Sequence, residues 1–271
     1  MFTQAAKLLS VSRDAKTIKG EKVGILTGVL YMAPHTLAGY QVCPSATEGC
    51  MAACLYTAGQ GRYSNVQTAR LNRTRWFFEG RESFMATLVV DILRLVRKAD
   101  KEGMKAAVRL NGTSDIAWEK MKVTVSGVEY RSLMEAFPAV QFYDYTKILG
   151  RKLALSLPNY HLTFSLAENN DAFAQKALEE GYNVAVVMSA KRAEAKPETW
   201  GGWPVVDGDK DDVRFNDPKG GHIIALFAKG AATKDTTGFV RPTNGGFRTA
   251  SLSRIRQVVE TKGVIEYALA A

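Results

Sequence analysis

Six short runs, each almost wholly apolar, recur along the chain at residues 23–30, 106–110, 140–145, 160–165, 184–188 and 222–227. Runs of this length with few polar interruptions read as strands buried on both faces, the habit of a parallel sheet covered by helices. The segments between them carry a helical period. Residues 83–101 place Phe84, Leu88, Ile92, Leu95, Val96 and Ala99 on one stripe and stop at Gly103. Residues 66–78 are helical in pattern, and 133–137 form part of a short helix. Asn170 stands where it would cap a helix over 172–180 that Gly181 ends, and a last helix is expected over 251–260. The expected fold is α/β: an open, partial TIM-like β/α barrel of about six units, with a doubly wound sheet as the alternative. A single barrel-like domain over 1–271 is expected, with 22–62 as first strand and following loop and 195–249 as a loop-rich C-terminal part.

All three cysteines, Cys43, Cys50 and Cys54, fall within twelve residues, in the loop after the first expected strand. Their spacing is Cys-x6-Cys-x3-Cys. If Cys50 opens a helical turn, Cys54 shares its face, because positions i and i+4 are neighbours. Three readings compete. The thiols are structural or form one disulfide, which a reducing compartment disfavours. They bind zinc with a fourth ligand such as His35, although the usual Cys-x2-Cys knuckles are missing. Or they hold an iron–sulfur cluster, the reading that soft thiolates favour and the one preferred here. Three thiolates on a four-iron cubane leave one iron open to a substrate or cofactor.

Working residues of parallel β/α folds stand just beyond the carboxyl ends of the strands. Those positions are polar in this chain. The second run leads into Arg109, Asn111 and Asp115, the third into Asp144 and Lys147, and the fourth into Ser165 and Glu168. One rim would then carry the thiols and a pocket for a charged ligand. Arg109 or Lys147 would bind an anionic small molecule, and Asn111, Asp115 and Ser165 would complete the binding set. Asp144, Glu168 and Lys147 are the candidate catalytic groups, as acceptors for an amine or ribose or as proton shuttles. Each of these residues has a plainer reading as a helix cap or loop fixer.

Other chemistries lack their residues. Three widely spaced histidines exclude the His-x-His and His-Glu-x-x-His patterns, and the glycine-rich nucleotide loops and the Gly-x-Ser-x-Gly elbow are missing. Apolar content of 46% and charged content of 23% exclude a disordered or collagen-like chain. No apolar run reaches the roughly 18 residues of a membrane span, and residues 1–14 show no export signal. No membrane partner is expected, and a cytoplasmic location is. The formal charge of +9 is uneven: residues 62–109 hold eleven basic and five acidic side chains. The second functional reading is therefore a nucleic-acid-binding accessory or replication protein using this stretch, with Trp76 or Tyr145 as stacking residues. A plain solvated helix face explains the same charges. A third reading is a redox sensor that catalyses nothing.

The string Cys43-Pro-Ser-Ala-Thr-Glu-Gly-Cys50-Met-Ala-Ala-Cys54, with Arg109-Leu-Asn-Gly-Thr-Ser-Asp115 and Phe142-Tyr-Asp-Tyr-Thr-Lys147, resembles a bacteriophage family labelled gene product 88-like. That resemblance implies a phage or prophage origin and a protein working inside an infected bacterium. More loosely, the chain is similar to radical S-adenosylmethionine enzymes, which carry a three-cysteine loop after the first strand of a partial barrel. This likeness implies a four-iron cluster on Cys43, Cys50 and Cys54, and S-adenosylmethionine as a possible cofactor. The cysteine spacing is wider than the Cys-x3-Cys-x2-Cys of those enzymes, and Asn111-Gly-Thr113 stands where a Gly-Gly-Glu stretch often follows their second strand.

Overall fold

A computed structural model describes residues 3–12, 15–189 and 194–248. Its strands are β1 (Leu9–Val11), β2 (Ile25–Leu30), β3 (Lys105–Arg109), β4 (Val123–Val125), β5 (Val128–Tyr130), β6 (Gln141–Thr146), β7 (Tyr160–Ser165), β8 (Val184–Met188), β9 (Thr199–Trp200), β10 (Trp203–Asp207) and β11 (Ile223–Phe227). Its α-helices are α1 (Ala15–Glu21), α2 (Glu48–Ala52), α3 (Ser64–Glu79), α4 (Arg81–Lys101), α5 (Leu133–Ala136), α6 (Lys152–Leu155) and α7 (Asp171–Glu179). The helix expected over 251–260 lies outside the described residues.

Nine strands form one sheet in the order β1-β2-β3-β6-β7-β8-β11-β10-β9. The seven inner strands are parallel, while β1 and β9 pair antiparallel at the two ends. From β2 to β11 the parallel strands follow chain order. A doubly wound sheet needs a reversal in the middle of that order, so that alternative fails. The sheet is open: its ends, β1 and β9, are not joined. β4 and β5 form a separate hairpin turning on Ser126 and Gly127, both at positive φ (51° and 83°), as a tight two-residue turn requires.

Side chains alternate across a strand, and here the alternation separates two environments. Leu26, Val108, Phe142, Phe164 and Val186 face the helices, where Phe84, Leu88, Ile92 and Leu95 of α4 and Ala174 and Leu178 of α7 join one apolar core. The stripe expected on residues 83–101 is thus the buried face of α4. On the other side Ile25, Ala107 and Tyr143 pack against Val213 and Phe215, from the segment following β10. This second face also carries the intervening residues Arg109, Tyr145, His161 and Ser165. Two strands, β9 and β10, and two 3-10 turns, Arg214–Asn216 and Gly230–Lys234, occupy the stretch expected to be loop.

Candidate functional site: a thiol-lined cavity at the strand ends

The loop leaving β2 is fixed by backbone contacts before any cysteine is placed. Val42 N–H donates to His35 O at 3.1 Å, and Asp115 N–H to Val42 O at 2.8 Å. His35 takes a positive φ of 41°, rare for a residue with a side chain, and its N–H points at Cys43 Sγ, 3.3 Å away. The Cys43 thiol in turn faces the Thr113 carbonyl at 3.7 Å. Thr47 caps α2 by accepting Cys50 N–H at 3.1 Å. Glu168, just beyond β7, braces the same turn: its carboxylate accepts Thr47 Oγ1–H at 2.7 Å and Gly49 N–H at 2.9 Å. A β-carbon at Gly49 would crowd Thr237 Oγ1 and lie 2.6 Å from Glu168 Oε2, so a larger residue there would have to displace the Glu168 carboxylate from this turn.

Cys43, Cys50 and Cys54 line one cavity of about 210 Å³ at the carboxyl ends of the parallel strands. None of the three is in a disulfide. Among the described residues no three His, Cys, Asp or Glu side chains are gathered as they would be around a single metal ion. Burial pushes the Cys43 thiol up to about 12, against the opposing His35 N–H, and burial also raises Cys54. At neutral pH both are thiols. A nucleophilic cysteine needs the opposite environment, one that favours thiolate. A buried thiol of this kind ionises when a metal centre takes the place of its proton.

The expected rim residues divide into two groups. Arg109, Asn111, Asp115, Lys147 and Ser165 line the cavity with the thiols. Arg109 is already paired, its guanidinium 2.9 Å from Asp212 and stacked 4.7 Å over Tyr145. Burial works most strongly against its charge, but the Asp212 carboxylate together with Tyr145, Tyr143 and Tyr31 outweighs it and raises its pKa. Asn111 organises the loop after β3: its Oδ1 accepts from Ser114 Oγ, Ile116 N and Trp118 Nε1 at 2.8–3.1 Å. Asp115 accepts Lys147 N–H at 2.8 Å and lies 3.6 Å from Arg151; burial raises its pKa, opposed by these partners. Lys147 donates through Nζ to Ser165 Oγ at 2.9 Å.

Asp144 and Glu168 stand elsewhere, a correction to their expected place in the pocket. Asp144 shares the helix-facing side of β6 with Phe142, because residues two apart point the same way. It is fully buried and accepts Asn111 N–H at 2.7 Å, Asn111 Nδ2–H at 3.2 Å and Tyr160 O–H at 2.9 Å. Glu168 is turned onto α2, as described above. Phe239 and Lys229, from the stretch expected to be loop, line the cavity and carried no sequence signal for it. Val187 and Leu226 line it too, and strand alternation from Ser165 and its neighbours is the signal that finds them.

Most of the basic stretch is exposed, including Arg62, Arg94, Arg97, Lys98, Lys101 and Lys105, while some of its arginines are tied into the fold. Arg70 is buried and donates to Tyr56 O at 2.9 Å, and Arg81 donates to Phe77 O at 2.6 Å while stacking on the Phe77 ring. Trp76, expected as a stacking residue, is 1% exposed and donates to Ser83 Oγ at 2.8 Å. Tyr145 lies in the cavity and not on a basic surface.

Fold and cavity together define a class: an α/β protein with an open, mostly parallel sheet and a cysteine-lined pocket at its strand ends. Within that class the chain belongs to the gene product 88 family, whose model matches residues 7–243. This is the bacteriophage family that the cysteine-loop motifs resemble. No curated protein and no solved structure matches the chain, and the looser likeness to radical S-adenosylmethionine enzymes gains no support from these comparisons. Among the described residues no helix is long and apolar enough to cross a membrane.

Proposed function

We propose that the cavity is the seat of an iron–sulfur cluster, a four-iron cubane held by Cys43, Cys50 and Cys54, in a sheet read as a partial barrel. The observation that carries this reading is that three unbridged cysteines line one cavity, two of their thiols kept protonated by burial. A single zinc ion draws each thiolate to about 2.3 Å, a tighter gathering than this cavity has. A cubane distributes three thiolates over three irons, which suits a looser set. When bound, the cluster supplies one-electron chemistry and an iron open to a small molecule in the cavity. S-adenosylmethionine is one candidate for that position.

The chain's own residues then have distinct tasks. Glu168 and Thr47 hold the turn that carries Cys50. The loop through His35 and Thr113 positions Cys43. Lys147 brings positive charge to the thiol pocket. A reducing host cytoplasm would keep the thiols available.

Purification without oxygen, followed by iron and sulfide analysis and electron paramagnetic resonance, tests the assignment. A brown protein with about four irons per chain is expected. Cys50→Ala should lose most of that iron, and full retention would count against the assignment. A spectral change on adding S-adenosylmethionine would show the open iron engaged.

A further inference from the structure

The geometry points to a carboxylate subsite at Lys147, taking a small carboxylic acid whose apolar body lies against Val187, Leu226 and Phe239. It rests on the preceding reading only in treating this cavity as the working site; no iron is needed for it.

An ammonium group has three N–H donors and no acceptor. Lys147 gives one to the neutral Ser165 hydroxyl at 2.9 Å, and among the described residues it makes no ion pair. The other cations of the lining are neutralised: Arg109 by Asp212, and Lys229 by Asp209. The cavity's own carboxylate, Asp115, takes the backbone N–H of Lys147 and pairs with Arg151. A half-buried cation facing a cavity, with a hydroxyl and the Phe239 ring 5.7 Å away as its partners and no carboxylate ion-paired to it, is a ready receptor for an anion.

Tyr145, two residues before Lys147, lines the cavity as well, stacked 4.7 Å from the Arg109 guanidinium. The nearby apolar wall argues against a bare inorganic anion, which would leave Val187, Leu226 and Phe239 facing nothing they favour. A cavity of about 210 Å³ holds roughly seven waters at about 30 Å³ each, which suits an acid the size of benzoate.

The probes are benzoate, its neutral isostere benzamide, and inorganic phosphate, titrated calorimetrically into the full-length, iron-free chain. Benzoate should bind once per chain, with benzamide and phosphate each about tenfold weaker or more, the scale of a lost charge-assisted hydrogen bond. Lys147→Met should weaken benzoate by about the same factor and leave benzamide unchanged. Equal binding of benzoate and benzamide, equal binding of phosphate, or benzoate binding indifferent to Lys147→Met each overturns the subsite. The benzoate–benzamide contrast needs no variant, so misfolding of Lys147→Met leaves a decision available. A protein with four irons that ignores benzoate when stripped overturns this proposal alone; one that binds benzoate and never holds iron overturns the cluster alone.

Discussion

The Cys43 sulfur sits between the His35 N–H and the Thr113 carbonyl, at 3.3 and 3.7 Å. With its pKa pushed up to about 12 by burial, it should alkylate slowly. Iodoacetamide at pH 8, read by peptide mass spectrometry, should label Cys43 in the iron-free fold about tenfold or more slower than in urea. Equal rates would remove the case for a metal-dependent thiolate. Two other side chains oppose one another in pH dependence. Burial, then the charge of Arg214, holds His161 down to about 4, so below about 6.5 the unfolded chain binds a proton that the fold refuses, and stability falls as pH drops towards 4. Burial raises Asp144 to about 7 against its three donors. Its contribution is complete below its ordinary value near 3.8 and is lost as pH rises to about 7. Urea midpoints from pH 4.5 to 7 should therefore rise more steeply with pH in Asp144→Asn than in the parent, and less steeply in His161→Gln. The same residues show what was legible. Cysteine spacing and strand-end polarity led to the cavity. Asp144 was misplaced because a polar residue at a strand end looks functional whichever face it occupies, and Phe142 beside it marked the helix side.

Elements were legible in proportion to the length of their pattern. The stripe of α4 and the runs of β7 and β8 match the expected segments closely, because burial on one face or both writes itself into many residues. β1, β9 and β10 escaped notice: two are only three and two residues long, and β10 carries Pro204 beside a Gly-Gly turn. Pairing supplied by a neighbour makes such strands, and local composition does not announce it. β1 depends on one side chain of α4. Buried Asp91 accepts the N–H groups of Leu8 and Leu9 at 2.6 and 3.1 Å. Asp91→Ala should cost about 1–3 kcal/mol through those unpaired donors. Hydrogen exchange should then quicken at Leu8–Val11 and stay slow in β3 and β6; unchanged protection at β1 would show that the strand holds without it.

At the scale of the whole molecule, buried ion pairs fasten segments far apart in sequence. Arg109 meets Asp212 at 2.9 Å, Arg241 meets Asp171 at 2.8 Å, and Arg151 engages Glu119 through Nε at 2.9 Å. Two of these fastenings bring the part expected to be loop, 195–249, down onto the rim that carries the thiols. A ligand held at that rim stabilises the fold by mass action. Loading with iron should raise the thermal midpoint and chelation should lower it, by about 2–4 °C per kcal/mol in a chain of this size. A midpoint indifferent to iron would mean that no metal is held in the native state. The open sheet of consecutive parallel strands agrees with the sequence expectation, while its end strands β1 and β9 had no sequence signal. Right-handed crossovers and chain-ordered strands fit both a closed and an open arrangement, and only the terminal partners β1 and β9 decide that this sheet stays open. Those two stubs have a further consequence. A ladder of seven parallel strands with bare flanks would offer every copy a template for stacking onto the next. The two stubs, running against the grain, cover residues 28–30 of β2 and 203–204 of β10, and so shorten the ladder that a second molecule could zip onto at either flank.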